Sequence, residues 1–349
     1  TLEGIWQFSS YTVALKKEGN VHKGYIVEST NPSWKAGQIK FIVNDPEDNN
    51  TAKVTFFMGD HSARQIDTMT LLGNNEVVLG NSFIVMSREE PRQESSPEIT
   101  RYVRLLSTKA PLFEKVSENT VLVRIPAFDH AFKKDIDAVI AKHLDTILKT
   151  ENLIIDIRGN GGGSDVSYAS LLPILYTNPI RTVGMEYLST ELNNSRMLGF
   201  LQNPHFSEEE KQWAKDGYDI LNQHIGSYIN IDEDVTVETF DKIEPLPKSI
   251  GVLVDSSNGS TAEQFLLAAK QSKKVKLFGQ TTAGVLDISN MYQTDSPSGT
   301  FTLYYSLTKS LRIPHMAIDG VGIQPDYYID GELPLYQWTS YTQKILEGM

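Results

Sequence analysis

The chain has 349 residues, 40% hydrophobic, 22% charged and 9% aromatic, the make-up of a globular protein with length for about two domains. Thirty-two Lys and Arg against 44 Asp and Glu leave a net charge of −12, which excludes the basic face that a nucleic-acid partner requires. There is no cysteine, so disulfides, thiolate metal sites and a cysteine nucleophile are excluded as well.

Residues 1–108 read as strands. Tyr11–Leu15, Gly37–Val43, Ala52–Met58 and Phe83–Met86 alternate or carry β-branched and aromatic residues, and Asn, Asp, Gly and Pro clusters punctuate them. With no convincing helical period, this span predicts an N-terminal β-rich domain, a barrel or a sandwich. Past Pro111 the pattern changes, and 109–349 reads as a second domain of α/β class. Strand Val121–Ile125 leads into a helix with Ile136, Ile140, Leu144 and Ile147 on one face, followed by strand Leu153–Ile157. The turn Gly159-Asn-Gly-Gly-Gly163 opens a helix over about 165–176. Later, strand Ile250–Val254 passes through Ser256-Ser-Asn-Gly-Ser260 into a helix over Thr261–Ser272, and strand Val275–Phe278 follows. Such alternation implies a buried, mainly parallel sheet. Between the two units, residues 187–248 form an acidic stretch with weak helical pattern, expected to be a helical insertion.

The glycine turn lacks the Gly-Lys-Ser/Thr ending of a phosphate loop and the third glycine of a dinucleotide fingerprint. Two readings remain: a tight turn that needs positive φ, or a set of backbone N–H groups open to a developing negative charge at a helix N-terminus. Ser260 holds the matching place in the second unit, where its hydroxyl would stand above the carboxyl end of the sheet. A serine there is ordinarily an N-cap, and Glu263 three residues on completes the spacing of a capping box. Together, glycine N–H groups on one loop and a hydroxyl on the next make the minimum set for acyl transfer.

Four segments carry a resemblance: LIIDIRGNGGGSD (153–165), VLVDSSNGSTAEQF (252–265), FGQTTAGVLD (278–287) and DGVGIQPD (319–326). In that order they resemble the tail-specific, or carboxyl-terminal processing, serine protease family, across roughly 121–330 apart from the insertion. The resemblance implies a crotonase-like core of stacked ββα units, Ser260 as nucleophile, and the N–H groups of Gly162 and Thr261 as oxyanion hole. The processing branch of that family uses a lysine base 25 residues after the serine; here that position is Val285. The family's tricorn branch instead uses an upstream histidine beside a serine, with an acidic residue near the Gly-Val-x-Pro-Asp segment.

A neutral imidazole accepts a proton near neutral pH, and seven histidines are available. His61, in Gly59-Asp-His-Ser62, matches the tricorn arrangement and is the first choice of base; His130, after strand 121–125, is the second. Asp319 is the candidate acidic residue. His143 sits on a helix, His22 in a strand, His205 and His224 in the insertion and His315 in a turn. The function expected is a serine-type peptidase acting on a peptide or protein substrate. The alternative is an inactive member that binds a peptide or small ligand. No metal or organic cofactor is implied, since no His, Asp and Glu cluster shows ligand spacing. No stretch approaches the ~18 apolar residues of a membrane span. The resemblance implies an exported bacterial protein, periplasmic or at the cell surface, with its signal segment outside this chain.

Overall fold

The structure, a computed structural model, describes residues 2–44, 52–80, 84–202 and 207–348. Phe83 and His205 lie outside the described residues. The chain divides into two compact units, Thr1–Ala110 with Asp330–Lys344, and Pro111–Ile329 with Ile345–Met349.

The first unit is built on strands β1 (Gly4–Phe8), β2 (Tyr11–Glu18), β3 (Val21–Ser29), β4 (Ile39–Asn44), β5 (Val54–Phe57), β6 (Ala63–Ile66), β7 (Met69–Leu72), β8 (Glu76–Leu79) and β9 (Ile84–Glu90). They form one antiparallel sheet in the order β6-β5-β4-β3-β2-β1-β9-β8-β7. Alternation along β3, with His22, Gly24 and Ile26 buried, sends every second side chain to one face. That face holds an apolar cluster of Trp6, Val13, Phe41, Val54 and, from the far end of the sheet, Val77 and Leu79. Both ends supply one cluster, so the sheet curls around it. Neither a sandwich nor a ladder closing β6 onto β7 is present among the described residues.

The all-strand reading of 1–108 fails at its end, where Pro97–Ser107 is a helix, α1. Ser96 caps it by accepting from the N–H of Ile99, and Pro97 occupies the first turn, where its missing N–H costs nothing. Ile99, Tyr102 and Leu105 are buried, and Val103 and Leu106 pack beside them, so the residues stand at helical spacing that the strand reading passed over.

In the second unit β10 (Leu112–Lys115) and β11 (Thr120–Arg124) form a hairpin, and α2 (Lys133–Ile147) buries Ile136, Ile140 and Ile147. Strand β12 (Asn152–Asp156) precedes a 3₁₀ segment over Asp165–Leu171 and the single turn α3 (Leu172–Leu175), where the sequence suggested one continuous helix. The 187–248 span holds helices α4 (Glu191–Gln202) and α5 (Glu208–Asn222) together with short strands. β13 (Ile180–Val183) lies just ahead of the span, β14 (Met185–Leu188) runs into it, and β15 (Tyr228–Ile229) and β16 (Val235–Glu238) lie within it. Ser207 and Glu210 make the capping box that starts α5.

The chain then runs through β17 (Ser249–Val254), α6 (Thr261–Ala269), β18 (Val275–Gly279), β19 (Ile288–Asp295), β20 (Thr302–Ser310) and β21 (Tyr327–Tyr328), and closes with helix α7 (Trp338–Gly348). The central sheet has the order β10-β11-β12-β17-β18-β21 and is parallel from β11 onward. Every residue of β11 and β12 is buried, as expected of parallel strands covered on both faces. A second, four-stranded sheet runs β15-β14-β20-β19.

Candidate active site

Strands β12 and β17 are parallel neighbours, with Asp156 opposite Leu253, so the loops that leave their carboxyl ends lie side by side. Asp156 anchors the first loop. Burial works against its charge, but Arg158, at 2.8 Å, and Arg124 outweigh burial and hold its carboxyl below the usual range. Asn258 joins the two loops. Its Nδ2 donates to the carbonyls of Ile157 (2.6 Å) and Asn160 (3.0 Å), while its Oδ1 accepts from the N–H of Asp255. Asp255 Oδ1 in turn accepts from the N–H of Gly159 at 3.0 Å. Burial pushes the Asp255 carboxyl up, against the pull of these N–H donors.

Ser260 stands at the start of α6 with φ 54 and ψ −127, and its side chain makes no capping bond. The capping-box reading is therefore corrected: Glu263 is fully buried and bonds elsewhere. It accepts from Thr282 Oγ1 (2.5 Å) and from the N–H groups of Gly284 (2.7 Å) and Val285 (2.9 Å). A positive φ at a side-chain-bearing residue costs of the order of 1–3 kcal/mol and persists only where its surroundings hold it. Here the surroundings include Gly162. A Cβ on Gly162 would lie 2.7 Å from the Gly259 carbonyl, 2.8 Å from Ser260 Cβ and 2.9 Å from Thr261 N, and its own φ is +107. Glycine is what lets the first loop approach the serine turn this closely.

Among the described residues the N–H of Thr261 has no acceptor, which leaves it open over the turn. The N–H of Gly162 does have one, Asn160 Oδ1 at 2.9 Å. Gly161 and Gly163 carry the N–H groups of this loop that have no acceptor among the described residues. Beside them Asp165 receives the Thr261 hydroxyl; burial pushes its carboxyl up, against this bond and the charge of Arg312.

The candidate bases lie in different places. His130 follows a segment that pairs with the glycine loop: the Phe128 N–H donates to the Gly162 carbonyl (3.0 Å), and the Phe128 carbonyl accepts from Ser164 (2.9 Å). His130 is exposed and opens a 3₁₀ turn capped by Asp129. His61 belongs to the first unit, at φ 65, with its Nε2 3.0 Å from the Ser33 carbonyl and its ring 4.2 Å from that of Trp34. Asp319 accepts from the N–H groups of Leu286 (2.6 Å), Asp287 (2.7 Å) and Ile288 (3.1 Å), so both its oxygens hold backbone. Asp287 answers by accepting from Asp319 N–H and from Arg312. Val285, at the lysine position, stands over the serine turn: a Cβ on Gly259 would come within 2.6 Å of its Cγ2.

Sequence reasoning missed Asn258, read only as part of a turn, and Asn160. Nothing local marks either, because the partners of Asn258 are supplied by a loop about a hundred residues away.

The sequence profile of Peptidase family S41 matches residues 119–329, more than half of the chain. The chain belongs to that family. A Chlamydia muridarum protein, itself without an assigned function, is 25% identical over 268 residues, which are 66% of this chain and 44% of that protein. The chain thus spans under half the length of that relative. Among solved structures, mature CPAF is similar at 15% identity, covering 99% of this chain and 83% of its own, with a TM-score of 0.47. The photosystem II D1 C-terminal processing protease is similar at 12% identity, over 94% of this chain and 74% of its own, with a TM-score of 0.41. A lipoprotein from Streptococcus agalactiae has 18% identity over 72% of this chain and 74% of its own, with a TM-score of 0.41. Among the described residues, no helix of this S41 member is long and apolar enough to cross a membrane.

Proposed function

We propose that this S41 member is a serine-type peptidase in which Ser260 attacks a peptide carbonyl and forms an acyl-enzyme. The observation that carries the reading is the serine turn itself. Ser260 is held at positive φ, its hydroxyl caps nothing, and a glycine loop packs against its Cβ. A residue kept in a costly conformation with a free nucleophile is better accounted for by chemistry than by helix capping.

In the first step the serine Oγ bonds to the carbonyl carbon as a histidine takes the hydroxyl proton. The N–H of Thr261 and a glycine-loop N–H, with Gly162 as the family resemblance has it or Gly161 or Gly163 as the hydrogen bonding favours, hold the oxyanion. The imidazolium then protonates the leaving amine as the C–N bond breaks, and water releases the acyl group by the same route. For the base, the Ser-adjacent setting supports His61, and the pairing of the 126–130 segment with the glycine loop supports His130. Asp319, engaged by three N–H groups, supports the 286–288 backbone of the site.

A fluorophosphonate probe tests this directly, with labelling expected in the parent chain and none in Ser260→Ala. His130→Gln and His61→Gln name the base, since loss of the proton acceptor should slow labelling by ~10²-fold or more. A parent chain that does not label, yet binds peptides, would establish the second reading, a binding protein on a peptidase fold, which valine in place of lysine at 285 favours.

A further inference from the structure

The loops that carry Ser260 and the glycines leave the carboxyl ends of β12 and β17. At the amino ends of the same two strands, where Asn152 stands opposite Ser249, the second unit holds an open cavity of about 200 Å³. Glu151, Asn152, Lys248, Ser249 and, from α7, Leu346 and Glu347 line it. At ~30 Å³ per water the volume is that of about six waters, room for a molecule of amino-acid size. The five residues of β12 put ~17 Å of strand between this cavity and the loops at the other end, so it is no part of the serine site.

Asn152 is 4% exposed, and the Asn119 carbonyl fixes it by accepting from both its backbone N–H (2.9 Å) and its Nδ2 (3.1 Å). With the amide nitrogen held there, Oδ1 is left to the cavity and has no donor among the described residues. Glu347 is held in turn: its Oε1 accepts from Ser117 Oγ (2.5 Å) and Thr120 Oγ1 (2.7 Å). Lys248 pairs with Glu151 at 2.8 Å, which leaves two of its three ammonium N–H groups without a protein acceptor among the described residues. The lining thus offers acceptors, in Asn152 and Glu347, and donors, in Lys248 and the Ser249 hydroxyl. A divalent cation suits it poorly, because the ammonium already occupies Glu151. A simple anion suits it poorly too, because it would meet the carboxylate of Glu347.

We propose that this cavity binds a free α-amino acid, its ammonium donating to Asn152 Oδ1 and Glu347 and its carboxylate accepting from Lys248 and the Ser249 hydroxyl. Each charge of such a zwitterion then meets a group of opposite sign or an unmet acceptor, in hydrogen bonds that the charges strengthen. Leu346, 2% exposed, is the apolar part of the lining and suits a small apolar side chain. A full strand's length from the serine turn, the place is that of an effector rather than of a substrate, and the inference stands whether or not the peptidase reading does.

The test is calorimetric titration of the parent chain with L-valine, L-valinamide and N-acetyl-L-valine. Valine is expected to bind at least ~10-fold more tightly than either derivative, since valinamide lacks the carboxylate and N-acetylvaline the ammonium. Lys248→Met, a change at an exposed side chain, should bring valine down to the affinity of valinamide. Glu347→Gln, which keeps an oxygen for the Ser117 and Thr120 hydroxyls, should weaken valine and valinamide alike by about ten-fold. No binding of valine at ~10 mM, equal binding of valine and either derivative, or a preference for valine that survives both substitutions would overturn the proposal. Probe labelling at Ser260 is read separately and bears on the peptidase reading alone.

Discussion

Lys40, on β4, is 1% exposed, and its Nζ lies 3.9 Å from the centre of the Trp34 ring and 4.2 Å from that of Tyr11. It donates to the Phe57 carbonyl at 2.6 Å and has no carboxylate partner among the described residues. Burial lowers its pKa from the ordinary 10.5 to about 8. The sign follows from linkage. Above 10.5 the amine is neutral in both states; as pH falls toward 8 the unfolded chain takes up the proton first, so the fold loses stability, by about 3 kcal/mol in all. Denaturant titrations of the parent and Lys40→Met should show the variant's relative advantage narrowing by about 2 kcal/mol between pH 7 and 9.5. An advantage that does not change with pH would mean that the rings leave the ammonium unperturbed. At this scale the sequence discloses Ser260 and the glycine loop but mistakes Glu263. The Ser-x-x-Glu spacing is common to a capping box and to what is present, and the true partners of Glu263 lie about twenty residues downstream.

Elements in this fold are placed largely by buried polar side chains that reach from one to the next. Helix α6 is almost wholly buried, and its Glu263 carries the 282–285 segment on three hydrogen bonds. Glu263→Gln would keep the carbonyl oxygen for Thr282 and Gly284 but set an NH₂ against the Val285 N–H. Leaving that buried donor unmet costs about 1–3 kcal/mol, a fall in Tm of the order of 5 °C for a unit of this size. Since Val285 packs on Gly259, the turn that holds Ser260 should loosen as well. We expect kcat/KM, or the rate of probe labelling, to fall more than ten-fold while the chain stays folded. A lowered Tm with an unchanged labelling rate would show that the segment is structural only. Elements with a broad apolar period, such as α2 and the parallel strands, are legible in sequence. Helix α1 carries such a period too, in Ile99, Tyr102, Val103 and Leu106 behind Ser96 and Pro97, and the strand reading of 1–108 ran past it.

At the scale of the molecule, the chain divides into two compact units, neither of which is one continuous stretch of sequence. The β-rich unit includes Asp330–Lys344, which lies in sequence between the two parts of the peptidase-like unit, 111–329 and 345–349. Leu72, Val78, Ile99 and Tyr102 form a small apolar cluster on which Tyr336 packs. Hydrophobic periodicity could not show this, because a cluster assembled from residues 72 and 336 has no local signature. A fragment ending at residue 110 therefore lacks part of its own core. Exposing one or two large side chains costs about 1.5–3 kcal/mol each, and for a domain of about 110 residues each kcal/mol lowers Tm by about 4–8 °C. Residues 2–110 alone should melt of the order of 10 °C below the same fragment joined by a flexible linker to 330–344, and should bind an apolar dye that the joined form excludes. Tyr336→Ala in the joined form should recover most of the difference. Equal melting of the two fragments would mean that the returning segment adds nothing to this core and that the β-rich unit is complete at residue 110.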